Sequence, residues 1–189
     1  MNTKMNRLPV PTWNHLGVNF APAAAALPEV PANGWGTANA TAAVPAGIRT
    51  NGPASEIFDT FAESGMGVAA DAFLAANANV KGHIAVGEGA AIETPAVLEV
   101  ELDEAHPYAL SYLTIDAAKN SALTVVQVLR GDAENGVAAS LVRINVAEGA
   151  HVKLVQVQLL GNSARRWGAV AIQQAEGSHV EQVRIELGG

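Results

Sequence analysis

Two histidines occupy equivalent positions in a sequence that occurs twice near the end of the chain. His151 lies in EGAHVKLVQVQLL (Glu148–Leu160) and His179 in EGSHVEQVRIEL (Glu176–Leu187), 28 residues apart. If the two copies form neighbouring strands, about 4.8 Å separates equivalent residues, and two imidazoles could then share a transition metal such as iron. The competing interpretation is a pair of solvated surface histidines. We favour that interpretation because two ligands are too few for a closed metal site.

Charged residues near these histidines and elsewhere give further candidates. Lys153 and Glu181 share the next outward position of the repeat, which predicts an ion pair between the two strands that contributes about 0–1 kcal/mol. An acidic patch consists of Glu99, Glu101, Asp103 and Glu104. Such a patch could bind Ca²⁺, but a solvated strand face is the favoured interpretation.

A basic and aromatic segment is a candidate contact with a partner protein. Arg165, Arg166 and Trp167 fall in a segment, Gly161–Trp167, that we interpret as a variable turn between strands. His15, His83 and His106 have no partner that the sequence identifies. The chain has no phosphate-binding loop, nucleophile elbow or HExxH motif, so we predict no catalytic residues, no cofactor-binding residues and no enzymatic activity.

These residues would be positioned by a ladder of strands that repeats every 28–29 residues. The aligned columns are Ile84, Leu113, Val142 and Val170; Val86, Ile115, Ile144 and Ile172; Leu98, Val126, Val155 and Val183; and Val100, Val128, Val157 and Ile185. Both copies of the repeat change the parity of their apolar residues, between Val152 and Val155 and between Val180 and Val183. The pattern predicts a mainly β fold, a parallel β-helix (solenoid) of about four rungs.

The turn between the two strands of a rung has its own signature. Asn120, Gly149 and Gly177 share one slot, and both residue types tolerate a left-handed backbone, which predicts a tight corner. Gly89 is out of step with that slot. The strand VLEVELD is predicted to place Leu98, Val100 and Leu102 inside the solenoid and its acidic residues outside.

We divide the chain into three parts. Residues 1–54 are interpreted as a proline- and alanine-rich extended arm, with Trp13 and Phe20 as docking anchors. Residues 55–79 are predicted to form a helical cap that closes the first rung, with one helix beginning at Ser55 and a second over Val68–Ala76. The second helix is expected to present Ala69, Ala72, Phe73 and Ala76 to the core. Residues 80–189 form the rungs.

Composition excludes several functions. The chain has 189 residues, a formal charge of −7 and no cysteine. The acidic balance argues against nucleic acid as a partner, and the lack of a long apolar run argues against a membrane span. Without an uninterrupted signal-peptide core and without cysteine, the chain is predicted to be cytoplasmic.

Several segments together resemble the SufB/SufD family of iron–sulfur cluster assembly scaffolds, and SufD-like members most. The segments are LPVPTWNHLGVN (Leu8–Asn19), ESGMGVAADAFLAANANV (Glu63–Val80), TPAVLEVELD (Thr94–Asp103), NSALTVVQVL (Asn120–Leu129) and ELGG (Glu186–Gly189). The resemblance implies a right-handed parallel β-helix and an assembly role through SufB-like and SufC-like partners. It also implies that the chain corresponds to the N-terminal portion of such a scaffold, truncated at its C-terminus.

The resemblance carries over no functional residue, because the family's Cys and His positions lie in a region beyond the matching segments. We therefore expect an iron–sulfur cluster only in the full complex, with no cofactor in this chain. The last rung has no visible cap, and we expect it to associate with another chain or with a second copy. Two alternatives stay open, a carbohydrate-active β-helix enzyme and a purely structural β-solenoid dimer.

Overall fold

The computed structural model describes residues 4–5, 21–22, 27–50, 61 and 63–188. Its strands are β1 (Lys4–Met5), β2 (Ala21–Pro22), β3 (Asn39–Ala43), β4 (Ile48–Arg49), β5 (Val80–Val86), β6 (Ala96–Leu102), β7 (Tyr108–Ala117), β8 (Ala122–Gly131), β9 (Val137–Val146), β10 (His151–Leu160), β11 (Arg165–Gln174) and β12 (His179–Glu186). One helix, α1 (Val68–Asn77), lies among the described residues.

Strands β5 to β12 alternate between two sheets. Sheet 1 has the order β12-β10-β8-β6-β3, and sheet 2 has the order β11-β9-β7-β5-β4. Each rung therefore supplies one strand to each sheet, and equivalent strands of successive rungs pair in parallel. The predicted parallel β-solenoid of about four rungs is confirmed. Short strands β1 and β2 pair with each other, antiparallel.

Aliphatic side chains fill the space between the two sheets. Leu113, Ile115, Val142 and Ile144 of sheet 2 face Val125 and Leu154 of sheet 1, and all six are at most 2% exposed. Burying each such side chain contributes about 1.5–3 kcal/mol. The β-branched residues favour the extended backbone that brings them there.

The corner between the strands of a rung is the one that the sequence predicted. Asn120, Gly149 and Gly177 have positive φ angles of 56°, 66° and 65°. Gly89, expected to be out of step, occupies the same slot, with φ 69°. Its amide donates to Lys119 O as the amide of Asn120 donates to Glu148 O. A longer segment between the first two corners hid this equivalence, because it changes the spacing.

The predicted columns are correct for the later rungs and shifted in the first. Val126, Val155 and Val183 align as predicted, but Val97, and not Leu98, pairs with Val126. In sheet 2, Ile84 pairs with Ile115 and not with Leu113. Val97 and Leu98 are both aliphatic, and so are Leu113 and Ile115, so hydrophobicity alone does not decide which member of each pair fills the column.

The change of parity in the repeat does not interrupt the strand. The side chains of β10 continue to alternate between the interior and the exterior, but the interior residues change from aliphatic to amide. In β10, Val152, Leu154, Gln156, Gln158 and Leu160 are all buried and face the interior. Val155 and Val157 face outward and are half-buried. The strand thus places amides inside and valines outside along its second half.

Two antiparallel strands cover the edges of the first rung. β3 pairs with β6 and β4 pairs with β5, so both sheets end on strands from the segment predicted as an arm. The helix predicted over Val68–Ala76 is confirmed as α1, but it packs on the outer face of β7 and β9. The helix predicted to begin at Ser55 and the anchors Trp13 and Phe20 lie outside the described residues.

The buried face of α1 differs from the predicted one. Ala70, Asp71 and Leu74 are buried, whereas Ala72 and Ala76 are exposed. Asp71 is buried because its carboxylate accepts hydrogen bonds from the amide and the hydroxyl of Ser64. An alanine-rich helix has a weak apolar face, so this polar contact decides its orientation.

Candidate functional site at the last rung

The interior of the solenoid changes from apolar to charged along the stack. In one interior column the successive residues are Leu98, Gln127, Gln156 and Arg184. Two further columns show the same trend, Val100, Leu129, Gln158 and Glu186 in sheet 1 and Ala109, Ala138 and Arg166 in sheet 2. The last rung, formed by β11 and β12, therefore presents charge at positions that are apolar in the first rung.

A hydrogen-bonded amide network connects the middle of the solenoid with the last rung. Gln127 Nε2 donates to Ser140 Oγ at 3.1 Å and to Ser111 Oγ at 3.3 Å. Gln156 Nε2 donates to Gln127 Oε1 at 2.8 Å. Gln127 is 1% exposed and Gln156 is 4% exposed. Burial of these amides is tolerated because each finds a partner.

The charged residues of the last rung extend this network. Arg184 Nη2 donates to Gln156 Oε1 at 3.4 Å, and Arg184 Nε lies 3.6 Å from Glu186 Oε1. Arg166 Nη1 donates to the same Glu186 oxygen at 2.5 Å. The Arg166 side chain is only 17% exposed, and its Nε has no hydrogen-bond partner among the described residues. The carboxylate of Glu186 thus joins the two sheets.

Both strands of the last rung lie at a sheet edge. Within the described residues, neither β11 nor β12 has a strand on its outer side. Ile172, Ile185 and Leu187 on this rung are 38%, 37% and 72% exposed. Unpaired strand edges with apolar side chains are templates for the addition of another strand. Charged side chains on the interior face of such an edge would add selectivity to strand addition.

The histidine pair lies on the outer face of the same rung and its neighbour. His151 and His179 are in register on β10 and β12, as predicted, with ring centroids 5.7 Å apart and ring planes inclined by 41°. The predicted ion pair is present as well, with Lys153 Nζ 2.8 Å from Glu181 Oε1. Both side chains of that pair are more than 40% exposed, so the pair adds little stability.

One arginine contacts two residues of the acidic patch. Arg130 on β8 forms ion pairs with both Glu99 and Glu101 on β6. The Glu104 carboxylate accepts a hydrogen bond from the amide of Glu134. Within the described part of the chain, no three His, Asp or Glu side chains gather in an arrangement that could hold a metal ion. The Ca²⁺ interpretation gains no support from this geometry.

Two histidines without a predicted partner have one in the structure. His106 Nδ1 lies 2.9 Å from Asp103 Oδ1. Desolvation raises the pKa of Asp103, but hydrogen bonds from His106 and Ala105 outweigh it and hold the pKa below 3.8. His83 Nδ1 lies 2.8 Å from Thr114 Oγ1. His15 lies outside the described residues.

The Arg165–Trp167 segment is not a turn. Its residues open strand β11, so the predicted variable turn ends before them. Arg166 points into the interior, whereas Trp167 packs on the outer face, with its ring 6.2 Å from that of Phe73. Sequence reasoning missed the interior role of Arg166 and of the glutamines. The signal was present as an amide, Gln127 and Gln156, at the same position of successive copies.

The candidate surface is on a chain whose described helix is too short to cross a lipid bilayer.

Comparison with known proteins identifies the region that contains this surface. Residues 100–189 match the family model described as SUF system FeS cluster assembly, SufBD core domain. The matched region runs from β6 to the last rung and includes the histidine pair and the glutamine network. No curated protein and no solved structure gave a match. The matched domain supports membership of the SufB/SufD family and a role in iron–sulfur cluster assembly.

Proposed function

We propose that this protein is a non-enzymatic scaffold subunit of iron–sulfur cluster assembly in the cytoplasm, SufD-like in type, and that it acts by binding other subunits through its last rung. The matched domain supports the process. The proposed partners are a SufB-like subunit and a SufC-like subunit. Any iron–sulfur cluster would form in the complex, with this chain supplying no cofactor of its own.

The observation that carries the proposal is the contrast between the two ends of the strand stack. The edges of β5 and β6 are covered by β4 and β3, whereas the outer edges of β11 and β12 carry no strand among the described residues. The exposed edge also carries apolar residues and the ionic group of Arg166, Arg184 and Glu186. A strand from another subunit could continue the sheets and bury this surface.

Self-association is a second candidate that the same edge supports. Two copies that meet through β12 would form the structural dimer that the sequence left open. The carbohydrate-active alternative gains no support, because Glu99 and Glu101 form ion pairs with Arg130, and Asp103 and Glu104 are engaged in hydrogen bonds with His106 and Glu134.

A proline at the outer edge of β12 tests the proposal. The amides of His179 and Leu187 donate to Ala150 O and Gln158 O of β10. Because amide direction alternates along a strand, the amide of Gln182 points away from β10. Gln182→Pro removes an outward donor and leaves the β10–β12 ladder intact. Gln182→Ala is the matched control, because it removes the side chain and keeps the amide.

The purified chain and both variants are mixed with cognate SufB-like and SufC-like proteins and analysed by size-exclusion chromatography. We expect a complex with the SufB-like protein for the wild type and Gln182→Ala, and a weakened complex for Gln182→Pro. The same run without partners reports self-association. Equal complex formation by both variants would show that partners bind elsewhere.

A further inference from the structure

His151 and His179 form a pair whose geometry suits a shared metal ion. The two residues are directly opposite each other on parallel strands, and their ring centroids are 5.7 Å apart. An imidazole nitrogen binds Zn²⁺ at about 2.0–2.1 Å, which places each ring centre about 3 Å from the ion. Two rings around one ion are therefore separated by about the distance observed.

The surroundings of the pair leave room for an ion with bound water. Both histidines are exposed and border a shallow depression of about 230 Å³, whose lining also includes Ile92, Thr124 and Glu181. The nearby ammonium group of Lys153 is neutralised by Glu181 at 2.8 Å, which reduces its repulsion of a cation.

We propose that His151 and His179 bind one divalent transition-metal ion between β10 and β12, with water completing the coordination. Imidazole nitrogen suits Cu²⁺, Ni²⁺ and Zn²⁺, whereas Mg²⁺ prefers oxygen ligands. The site is distinct from the strand edge that the proposed function uses. Metal binding at this site can be tested independently of the proposed assembly role.

Such an ion would hold the last rung to the preceding one. β12 has β10 as its strand neighbour among the described residues, so the separation of these two strands opens the last rung of sheet 1. The same separation pulls the histidines apart and breaks the site. A ligand that binds only the closed form stabilises it by mass action, and opening becomes rarer by a factor of 1 + [metal]/Kd.

Calorimetric titration of the full chain with NiCl₂, CuCl₂ or ZnCl₂ at neutral pH tests the proposal. We expect one site that binds Cu²⁺ more tightly than Ni²⁺, and no detectable binding of Mg²⁺. Loss of an outer partner of a metal ligand weakens metal binding by roughly 10–100-fold, so loss of a ligand is expected to cost at least about tenfold. His151→Ala and His179→Ala should each show that loss.

The double variant separates a shared site from two independent ones. In a shared site, removal of the second histidine costs little after the first is gone, so the double variant should bind about as weakly as either single variant. His106→Ala, which removes a half-buried histidine on another turn, is the control and should bind like the wild type. Additive losses, or unchanged binding in either single variant, would overturn the proposal.

Hydrogen exchange gives a second readout that does not depend on the calorimetric signal. At Zn²⁺ concentrations one hundred times Kd, amides of β12 that exchange by opening of the last rung should slow about a hundredfold. Amides of β5 and β6 should be unaffected. Equal slowing in wild type and His179→Ala would contradict the proposal.

Discussion

The first and last rungs of the solenoid have the same backbone and opposite chemistry. The first rung has Leu98 and Val100 in its interior, and antiparallel strands β3 and β4 cover both of its edges. The last rung places Arg184 and Glu186 at the corresponding interior positions, and no described strand covers its edges. The first rung is closed by backbone pairing, whereas the last described rung presents charged side chains at its interior positions.

The difference shows that the interior of the solenoid changes in polarity along the described rungs. An interior of stacked aliphatic side chains can be extended indefinitely, but an exposed apolar end would be insoluble. In one interior column, Leu98 of the first rung is followed by Gln127, Gln156 and Arg184 in the next three rungs. The interior therefore becomes polar in steps. Each polar group remains hydrogen-bonded along the way.

The largest expected effect on stability comes from an interior column that has one buried and one partly exposed isoleucine. Ile144 is fully buried, whereas Ile172, its neighbour in the same column, is 38% exposed. Ile144→Ala should lower the free energy of unfolding by about 2–5 kcal/mol, because it leaves a cavity. Ile172→Ala should cost much less, because neighbours surround its side chain on fewer sides. Urea unfolding of both variants measures the difference.

Equal losses for the two isoleucines would mean that another chain or segment covers the last rung in solution. Repeating the measurement at several protein concentrations distinguishes that case, because stabilisation by self-association depends on concentration.

A smaller effect is expected from the buried amide network. Gln127→Leu would remove the hydrogen-bond partner of Ser140 Oγ and of Gln156 Nε2 and should cost about 1–3 kcal/mol. Arg184→Leu at the last rung of the same column should cost less, because water can replace its contacts. If Gln127→Leu leaves the free energy of unfolding unchanged, the amide network contributes no net stability relative to an aliphatic side chain at this position.

The first rung should respond to pH. Desolvation lowers the pKa of His83 below 6.5, and Arg49 lowers it further against the opposing effect of Asp116. The unfolded chain therefore binds a proton at a higher pH than the folded chain. Stability is unaffected well above pH 6.5 and falls as the pH decreases through 6.5 toward the folded pKa. Thermal unfolding of His83→Gln should show a flatter dependence over that window.

The smallest expected effect is that of the exposed ion pair. Lys153→Ala should change the free energy of unfolding by about 0–1 kcal/mol, and added salt should reduce even that difference. The measurement is chemical unfolding at low and high ionic strength. A loss well above 1 kcal/mol would show that the last rung depends on this pair for its register.

Sequence reasoning succeeded where two segments of nearly identical sequence form neighbouring strands. The pairing of His151 with His179, the ion pair beside it and the left-handed corner at Gly149 all follow from two nearly identical segments. Apolar alternation correctly placed Leu98, Val100 and Leu102 inside, because an acidic residue separates each of them from the next.

It failed where apolar pattern carries no information. The register of Ile84 was wrong because its two possible partners on β7, Leu113 and Ile115, are equally aliphatic. Gln156 was not expected inside, because an amide is buried only when a partner from another rung is in place. The antiparallel strands β3 and β4 lie in a segment rich in proline and alanine, whose pairing depends on the free edges that it meets.

The most direct test of the account is hydrogen exchange of the full chain, alone and mixed with the cognate SufB-like protein. If the last rung is the association surface, the partner should slow exchange in β11 and β12 and leave β5 and β6 unchanged. Slowed exchange in the first rung only, or no change anywhere, would contradict the claim that the last rung binds the partner.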